Sequence, residues 1–482
     1  MKKICFVLLA AFMFFSATSQ QLKKGFDKDE YMRLMKVSAQ FGDSAYASNL
    51  GVPAGYKMLY RSETVGLENK WDLWKNDRGV PIVSIRGTTI SDVSWLENFY
   101  AAMVPASGEI QLTKADRFVY ELASNPRATV HVGWLVGTGF LMKDMLPKID
   151  SLVKTGNKDL LIIGHSQGGA IAYLVTAYLN HLKIKGRLPR DFQIKTYCSA
   201  GPKPGNLYFA HDYEALTQEG WAYNVVNSSD WVPETPVSIQ TADDFNDLNP
   251  FKNAKGIINK QGFLKRIALN YAYGKLTKYN RKAAGNYKKY LGKYVMKSVR
   301  KQLPEYVEPV YANTNDYVRV GNQITLLADD DYFKVFPQDP KNVFVNHLHP
   351  PYLYLLNKYQ MKTETTEENT LNGHWELNYI ARQTAAFAEL YPEKKPFINM
   401  NSQNLQFNGS TGCNNFTGML KRDGNQINFP EAMAMTRMMC PGQGEQAFLS
   451  VLKTVNRYSL DKDTLTLLSG DIAVMRFTRV WL

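Results

Sequence analysis

The stretch from Asp159 to Gly169, which reads DLLIIGHSQGG, constrains the fold more than any other part of the sequence. Leu160 to Ile163 is a short apolar run that predicts a strand buried on both faces of a parallel sheet. The turn Gly164-His165-Ser166-Gln167-Gly168 follows directly, and the composition of Ala170 to Leu182 favours a helix. Strand, G-x-S-x-G turn and helix in this order are typical of a nucleophile elbow. We therefore expect Ser166 to be a nucleophile.

A nucleophilic serine needs a histidine base and an acid that orients the base, and in α/β-hydrolases these follow in the order Ser, Asp, His. Tyr223 to Val226 predicts a second buried strand, and Asp230 lies just beyond it. That position is at the carboxyl edge of the sheet, where such sites assemble. The histidines that follow Asp230 within the same domain are His347 and His349. The residues alone leave both open as the base.

The N-terminus has the composition of a secretory signal. Met1 to Gln21 contains two lysines, an apolar run and then small residues, and it is too short for an ordinary membrane span. We expect a signal peptide over residues 1–19, with cleavage after Ser19; the alternative is an uncleaved anchor. The chain would then be exported and be periplasmic, outer-membrane-associated or secreted.

Cleavage would remove Cys5 and leave three cysteines. Cys198 lies in an apolar run, which predicts a buried structural thiol. Cys413 and Cys440 lie in the same C-terminal segment of a chain expected in an oxidising compartment, so either a disulfide or two free thiols is open.

Four ordered segments of the chain resemble the class 3 lipases, which include the fungal triacylglycerol lipases. They are Val83 to Gly108, His131 to Leu152, the elbow, and Asn227 to Pro236. In that family an Arg-Gly-Ser/Thr turn and the residue after the nucleophile supply the oxyanion-hole donors, which the resemblance places at Thr88 and Gln167. The spacing of His349 and Tyr352 also resembles the family. On that resemblance His349 is the expected base, with His347 as the alternative.

The resemblance implies an α/β-hydrolase domain with a mostly parallel sheet over residues 20–361. It also implies a serine carboxylic-ester hydrolase that acts through Ser166, Asp230 and His349 and forms an acyl-enzyme. The expected substrate is a lipid or other ester, such as an acylglycerol or a phospholipid. This chemistry needs no metal and no organic cofactor, and none is expected.

A basic segment interrupts this domain between the acid and the histidines. The chain has a net charge of +13, and residues 251–303 contain fifteen Lys or Arg and no Asp or Glu. Leu264 to Tyr279 and Tyr287 to Leu303 predict amphipathic helices. The segment is expected either to dock on an anionic membrane surface or to be a solvated helical insertion. Nucleic acid is not an expected partner for an exported chain.

A second domain follows the polar stretch 362–370, which we interpret as a linker. Residues 371–482 show short β-type runs and one expected helix at Glu445 to Val455, and they resemble the META domain of bacterial envelope proteins. That resemblance implies a small, mostly β module without catalytic chemistry. It leaves a second hypothesis for the whole chain, a non-catalytic envelope binding or stress protein that works through this module. The complete set of catalytic residue types favours the enzyme.

Overall fold

The computed structural model describes residues 21–249, 254–359, 371–381, 383, 385–401, 405–423, 425–430, 432–461 and 463–480. The chain divides into two compact units, Met1–Tyr359 and Gln360–Leu482. The expected signal peptide at 1–19 and the expected linker at 362–370 lie outside the described residues.

The first unit alternates strands and helices. Its strands are β1 (Lys57–Arg61), β2 (Trp71–Lys75), β3 (Pro81–Ile85), β4 (Met103–Pro105), β5 (Ser107–Gln111), β6 (Arg117–Glu121), β7 (Thr129–His131), β8 (Asp159–His165), β9 (Gln193–Ser199), β10 (Ala222–Asn227) and β11 (Asn322–Leu326). Its helices are α1 (Lys28–Ser38), α2 (Ser44–Leu50), α3 (Asp92–Phe99), α4 (Val132–Lys154), α5 (Gln167–Ile184), α6 (Leu207–Leu216), α7 (Ala254–Asn259), α8 (Phe263–Lys288), α9 (Val295–Gln302), α10 (Asp330–Val335) and α11 (His349–Lys358).

The main sheet of this unit has seven strands in the order β1-β2-β3-β8-β9-β10-β11. The five strands from β3 to β11 are parallel, and β1 and β2 extend that edge in antiparallel pairing. The predicted α/β class with a mostly parallel sheet is confirmed. In such sheets the carboxyl ends of the parallel strands meet at one edge, where functional groups gather.

Strand β8 explains why the apolar run of the elbow has no alternation. Leu160 and Ile162 belong to the core on one face of the sheet, together with residues of α4 and α5. Leu161 and Ile163 belong to the core on the other face, together with residues of α1 and α11. Every residue of β8 is therefore buried, as predicted for a strand covered by helices on both sides.

The basic segment forms one nearly continuous helical rod. Helix α8 runs to Lys288, a π-helical stretch covers Lys289–Tyr294, and α9 continues to Gln302. The two predicted helices are thus joined; no proline separates them, and Gly285 between them is accommodated within α8. No residue of α8 is buried, whereas Met296 and Val299 of α9 pack into the core of the unit.

The second unit is built around an antiparallel sheet of ten strands. They are β12 (Gly373–Ile380), β13 (Phe397–Asn401), β14 (Gln406–Ser410), β15 (Asn415–Met419), β16 (Lys421–Asp423), β17 (Gln426–Asn428), β18 (Ala434–Met435), β19 (Arg457–Asp461), β20 (Thr464–Ser469) and β21 (Ile472–Val480). Helices α12 (Phe387–Leu390) and α13 (Gly444–Leu452) accompany it. The expected mostly β character is confirmed.

The cysteines take the arrangement that one alternative predicted. Cys413 and Cys440 form a disulfide in the second unit, and Cys198 is a free, buried thiol on β9.

Among the described residues, no helix is both long and apolar enough to cross a bilayer.

Candidate active site

The nucleophile elbow joins β8 to α5 through Ser166. This residue has φ 62° and ψ −131°, a backbone conformation that is unfavourable for every residue except glycine. Its N–H donates a hydrogen bond to the carbonyl oxygen of Ser199 at 3.0 Å, which fastens the turn to β9. The strained turn at the end of the strand is the geometry predicted from the G-x-S-x-G motif.

The two elbow glycines are required by contacts of the backbone. A Cβ added at Gly164 would lie 2.0 Å from the carbonyl oxygen of Gly168. A Cβ added at Gly168 would lie 2.3 Å from the carbonyl oxygen of Ile85, the last residue of β3. No side chain fits at such distances, so the glycines let the start of α5 approach both β8 and β3.

The turn after β3 lies against the elbow as expected for an oxyanion hole. A Cβ added at Gly87 would lie 3.3 Å from the Cβ of Ser166, so this backbone passes directly beside the nucleophile. The hydroxyl of Thr88 donates to Oε1 of Gln167 at 2.8 Å and so joins the two expected donor residues. Gln167 is the first residue of α5, where the N–H groups of a helix have no carbonyl partner within the helix.

Asp230 is buried beyond the carboxyl end of β10, where the sequence placed it. Its Oδ1 accepts a hydrogen bond from the N–H of Val232 at 3.0 Å. Its Oδ2 lies 2.7 Å from Nδ1 of His347 and 2.7 Å from the hydroxyl oxygen of Tyr352. These three hydrogen bonds hold the carboxylate of Asp230 in one orientation.

The structure brings His347, and not the expected His349, into contact with Asp230. Asp230 can only accept hydrogen bonds when ionised, so Nδ1 of His347 carries the hydrogen of their 2.7 Å contact. In a neutral imidazole with its hydrogen on Nδ1, Nε2 is the free nitrogen that a general base uses. His347 lies two residues before α11, in a turn that brings it to the end of β10.

His349 points away from the acid and into the N-terminal helices. Its Nε2 lies 2.8 Å from the hydroxyl of Ser38, and its Nδ1 lies 2.9 Å from the hydroxyl of Tyr46. Burial, with a smaller contribution from His347, lowers the pKa of His349 to about 3. With both ring nitrogens engaged by residues far from Asp230, His349 is a neutral, structural histidine.

A third histidine, His165, links the elbow to the turn that contains His347. Nε2 of His165, the residue before the nucleophile, donates to the carbonyl oxygen of His347 at 2.7 Å. Its Nδ1 lies 2.9 Å from the hydroxyl of Ser199, and its ring stacks on His349 at a centroid distance of 4.3 Å. Burial lowers the pKa of His165 well below its usual value, so the ring stays neutral.

Sequence reasoning missed three parts of this arrangement. Tyr352 was noted only for its spacing from His349, but its hydroxyl contacts the acid itself. The tie between His165 and His347 could have been suspected, since a histidine inside the elbow must find a partner when buried. The clamp of Ser38 and Tyr46 on His349 had no sequence signal, because those residues lie some three hundred positions earlier in the chain.

Two family models match parts of this chain. Residues 82–239 match the family model of class 3 lipases, and residues 368–480 match the model of the META domain. No curated protein sequence matches the chain.

Among solved structures, similar chains include a fungal lipase–inhibitor complex (19% identity, 43% of this chain and 74% of that chain covered, TM-score 0.33). A Rhizomucor miehei lipase propeptide complex is also similar, with 18% identity, 44% of this chain and 65% of that chain covered, and a TM-score of 0.33. A lipase from Rhizopus microsporus var. chinensis has 20% identity, with 44% of this chain and 71% of that chain covered and a TM-score of 0.32. This chain therefore spans slightly less than two thirds of the Rhizomucor complex. A segment that matches the class 3 lipase model is thus followed along the chain by a segment that matches the META domain model, in the predicted order.

Proposed function

We propose that the protein is a serine carboxylic-ester hydrolase in which Ser166 is the nucleophile, His347 the general base and Asp230 the acid that orients it. The observation that carries the proposal is the buried contact of 2.7 Å between Oδ2 of Asp230 and Nδ1 of His347. The carbonyl oxygen of His347 also accepts a hydrogen bond from His165, the residue before the strained serine of the elbow. The match to class 3 lipases supports the same chemistry.

The proposed reaction is acyl transfer through Ser166. Nε2 of His347 takes the hydroxyl proton as the Ser166 oxygen attacks the ester carbonyl, and the charge that develops on the carbonyl oxygen is met by the N–H groups of Thr88 and Gln167. The imidazolium, stabilised by Asp230, returns the proton to the leaving alcohol, which leaves an acyl-enzyme. Water, deprotonated by His347, then releases the carboxylic acid and restores Ser166.

The finer proposal is that the substrate is a lipid ester, an acylglycerol or a phospholipid, and that the chain is exported to the periplasm, the outer membrane or the medium. The lipase match supports the substrate class. The composition of residues 1–19 supports export.

We further propose that an anionic membrane surface is the partner that brings the domain to its substrate. The surface concerned is the exposed stripe of α8 formed by residues 264, 267, 271, 275, 278 and 282, whose spacing of three or four places them on one helix face. Its first half is apolar, with Leu264 79%, Ile267 53% and Tyr271 68% exposed. Its second half is lysine, at Lys275, Lys278 and Lys282.

Apolar and basic residues on one exposed face favour an interface with lipid over plain solvation. The apolar half can enter the boundary between headgroups and acyl chains, and each lysine near an anionic surface contributes about 1 kcal/mol. No Asp or Glu in residues 254–302 opposes that attraction. Acidic side chains on the segment itself, within about a Debye length of these lysines, would have weakened the attraction to the membrane surface.

Hydrolysis of short- and long-chain p-nitrophenyl esters tests the enzyme proposal. Wild-type protein should turn over these esters, and Ser166→Ala should lower kcat by about 10⁴-fold or more, because the nucleophile is gone. If wild type and Ser166→Ala are equally inactive on every ester, the enzyme proposal fails and a binding role of the META unit takes its place.

Vesicle co-sedimentation of Ser166→Ala protein tests the membrane partner independently of catalysis. The protein should sediment with phosphatidylglycerol-containing vesicles and not with pure phosphatidylcholine. The triple variant Lys275→Glu, Lys278→Glu, Lys282→Glu should lose this binding. A matched triple variant at the exposed Lys57, Lys114 and Lys154 should keep it. Equal binding to neutral vesicles, or equal loss in both triple variants, contradicts the assignment to α8.

A further inference from the structure

Three neighbouring strands of the second unit, β13, β14 and β15, carry polar residues on one face of the sheet. Side chains alternate between the two faces of a strand. Phe407 and Phe416 are buried in the core of the unit, so Asn408 and Thr417, which follow them, lie on the opposite face and are exposed. Strand pairing places Asn399 opposite Asn408, and Asn408 opposite Thr417. A row of polar side chains therefore crosses this face of the sheet.

The row lies in an open groove. The volume of the groove is about 580 Å³, within the range of about 300–1,000 Å³ that is usual for small-molecule sites. Asn399, Asn408 and Thr417 line it together with Phe397 and Asn415. The proposed ester hydrolysis uses none of these residues, so a ligand in this groove would belong to a separate function of the chain.

Hydrogen bonds between side chains hold the amides of the row in one orientation. Nδ1 of His374 lies 2.7 Å from Oδ1 of Asn399, and Nδ2 of Asn399 donates to Oδ1 of Asn408 at 2.8 Å. The free end of this series is Nδ2 of Asn408, a donor without an acceptor among the described residues. The amide of Asn415, exposed on the next strand, makes no hydrogen bond to a described residue and offers both a donor and an acceptor.

The charge of the groove narrows the class of ligand. No Lys, Arg, Asp or Glu is among the described residues that line it. Glu376, which lies opposite Phe397 on β12, is paired with Lys395 at 2.7 Å. Anionic ligands are usually held by Lys or Arg and metal cations by carboxylates, so neither is favoured here. An apolar ligand would bury the amides of Asn408 and Asn415 without partners, which is unfavourable.

An aromatic ring supplies the apolar part of the groove. Phe397 is half-buried and packs against the ring of His374 at a centroid distance of 4.6 Å. Because Phe397 and Asn399 are two residues apart on β13, they lie on the same face of the sheet. The groove thus combines a fixed ring with amides that can both donate and accept hydrogen bonds.

We propose that this groove binds a neutral carbohydrate chain. Each sugar hydroxyl can donate and accept a hydrogen bond, as the amides of Asn408 and Asn415 can, and the C–H face of a sugar ring can pack on Phe397. The series from His374 to Asn408 orients the binding amide before the ligand arrives, which lowers the entropy lost on binding. This function goes beyond ester hydrolysis and does not depend on it.

Affinity electrophoresis of the full-length chain tests the inference. Acidic native gels containing dextran, galactomannan or laminarin, all neutral polysaccharides, should slow the wild-type protein in at least one case. The double variant Asn408→Ala, Asn415→Ala should bind that polysaccharide about tenfold more weakly or less, because two hydrogen-bonding amides are lost. Asn428→Ala, at an exposed asparagine of β17 in the same sheet, is the matched control and should bind as wild type does.

Two further measurements separate sugar binding from folding and from charge. The double variant should keep the melting temperature and the ester hydrolysis of wild type, since both substitutions are on an exposed face. Binding should persist in about 0.5 M NaCl, because no charged group of the groove takes part. No retardation by any of the three polysaccharides, or equal retardation of wild type and double variant, overturns the inference. Self-association of wild type that the double variant loses would assign the groove to a second copy of the chain and also overturns it.

Discussion

The two halves of the candidate site were built in different ways. The nucleophile half, made of the end of β3, β8 and the start of α5, is held together mainly by backbone contacts around its own glycines. The histidine half, made of the end of β10, the turn before α11 and α11 itself, takes its hydrogen bonds partly from α1 and α2. A motif can specify the turn from β8 to α5, because Gly164, Ser166 and Gly168 are close in sequence, although Gly168 also packs against Ile85 of β3. The second half depends on partners that the chain supplies from elsewhere.

This difference explains why the sequence could place Ser166 in its turn but could not choose the histidine that contacts Asp230. The backbone at Ser166 and the glycines around it follow from steric rules that act over a few residues. The choice between His347 and His349 was set by Asp230 on one side and by Ser38 and Tyr46 on the other. Two histidines only one residue apart therefore have unrelated surroundings.

The strongest test of this comparison replaces each histidine in turn. His347→Ala should lower kcat/KM for a p-nitrophenyl ester by about 10⁴-fold, because the general base is removed. His349→Ala should lower it by about tenfold or less, because only packing and two neutral hydrogen bonds are lost. If His349→Ala shows the larger loss, the pairing of Asp230 with His347 does not describe the working enzyme.

The nucleophile half can be broken through its backbone alone. Gly168→Ala introduces a Cβ that would lie 2.3 Å from the carbonyl oxygen of Ile85, so β3 and α5 must separate. We expect kcat to fall about 10²-fold, as when an oxyanion donor is misplaced, and the protein to lose about 3 kcal/mol of unfolding free energy. Gly274→Ala on α8, where nothing lies within 4 Å, is the matched control and should be as stable as wild type or more so. Equal behaviour of the two variants would show that the elbow tolerates a side chain there.

A smaller effect is expected from the partner of the acid. Tyr352→Phe keeps the ring but removes the hydroxyl that donates to Oδ2 of Asp230 at 2.7 Å. Loss of one hydrogen bond to a charged group should lower kcat by about tenfold and leave KM nearly unchanged. Tyr271→Phe, at an exposed tyrosine of α8, is the control for the same chemical change. An unchanged kcat would mean that His347 and Val232 hold the acid without help.

The smallest effect concerns acid stability in the histidine half. Below about pH 6.5 an unfolded His349 is protonated, whereas the folded side chain stays neutral down to its pKa of about 3. The contribution of neutral His349 to folding stability is therefore fully present above pH 6.5, and it is lost as the pH falls toward 3. His349→Gln should reduce the drop in melting temperature between pH 7 and pH 4 by a few degrees. The same drop in both proteins would contradict a buried, neutral His349.

Much of the fold could be predicted because local patterns decided it. The apolar runs that became β8 and β10, the helix after the elbow and the mostly β C-terminal unit all followed from composition and spacing. The sequence predicted α8 and α9 as two separate helices. Its pattern alone does not show that a short π-helical stretch joins them into one continuous helical rod.

The sequence by itself predicted Ser166 in its elbow and Asp230 beyond β10, and its resemblance to class 3 lipases added Gln167 and Thr88. Tertiary structure alone decided which histidine meets Asp230 and where His349 finds its partners. The physical reason is range. Steric limits on a turn act within a few residues, whereas hydrogen-bond partners and burial depend on which distant segments the core brings together.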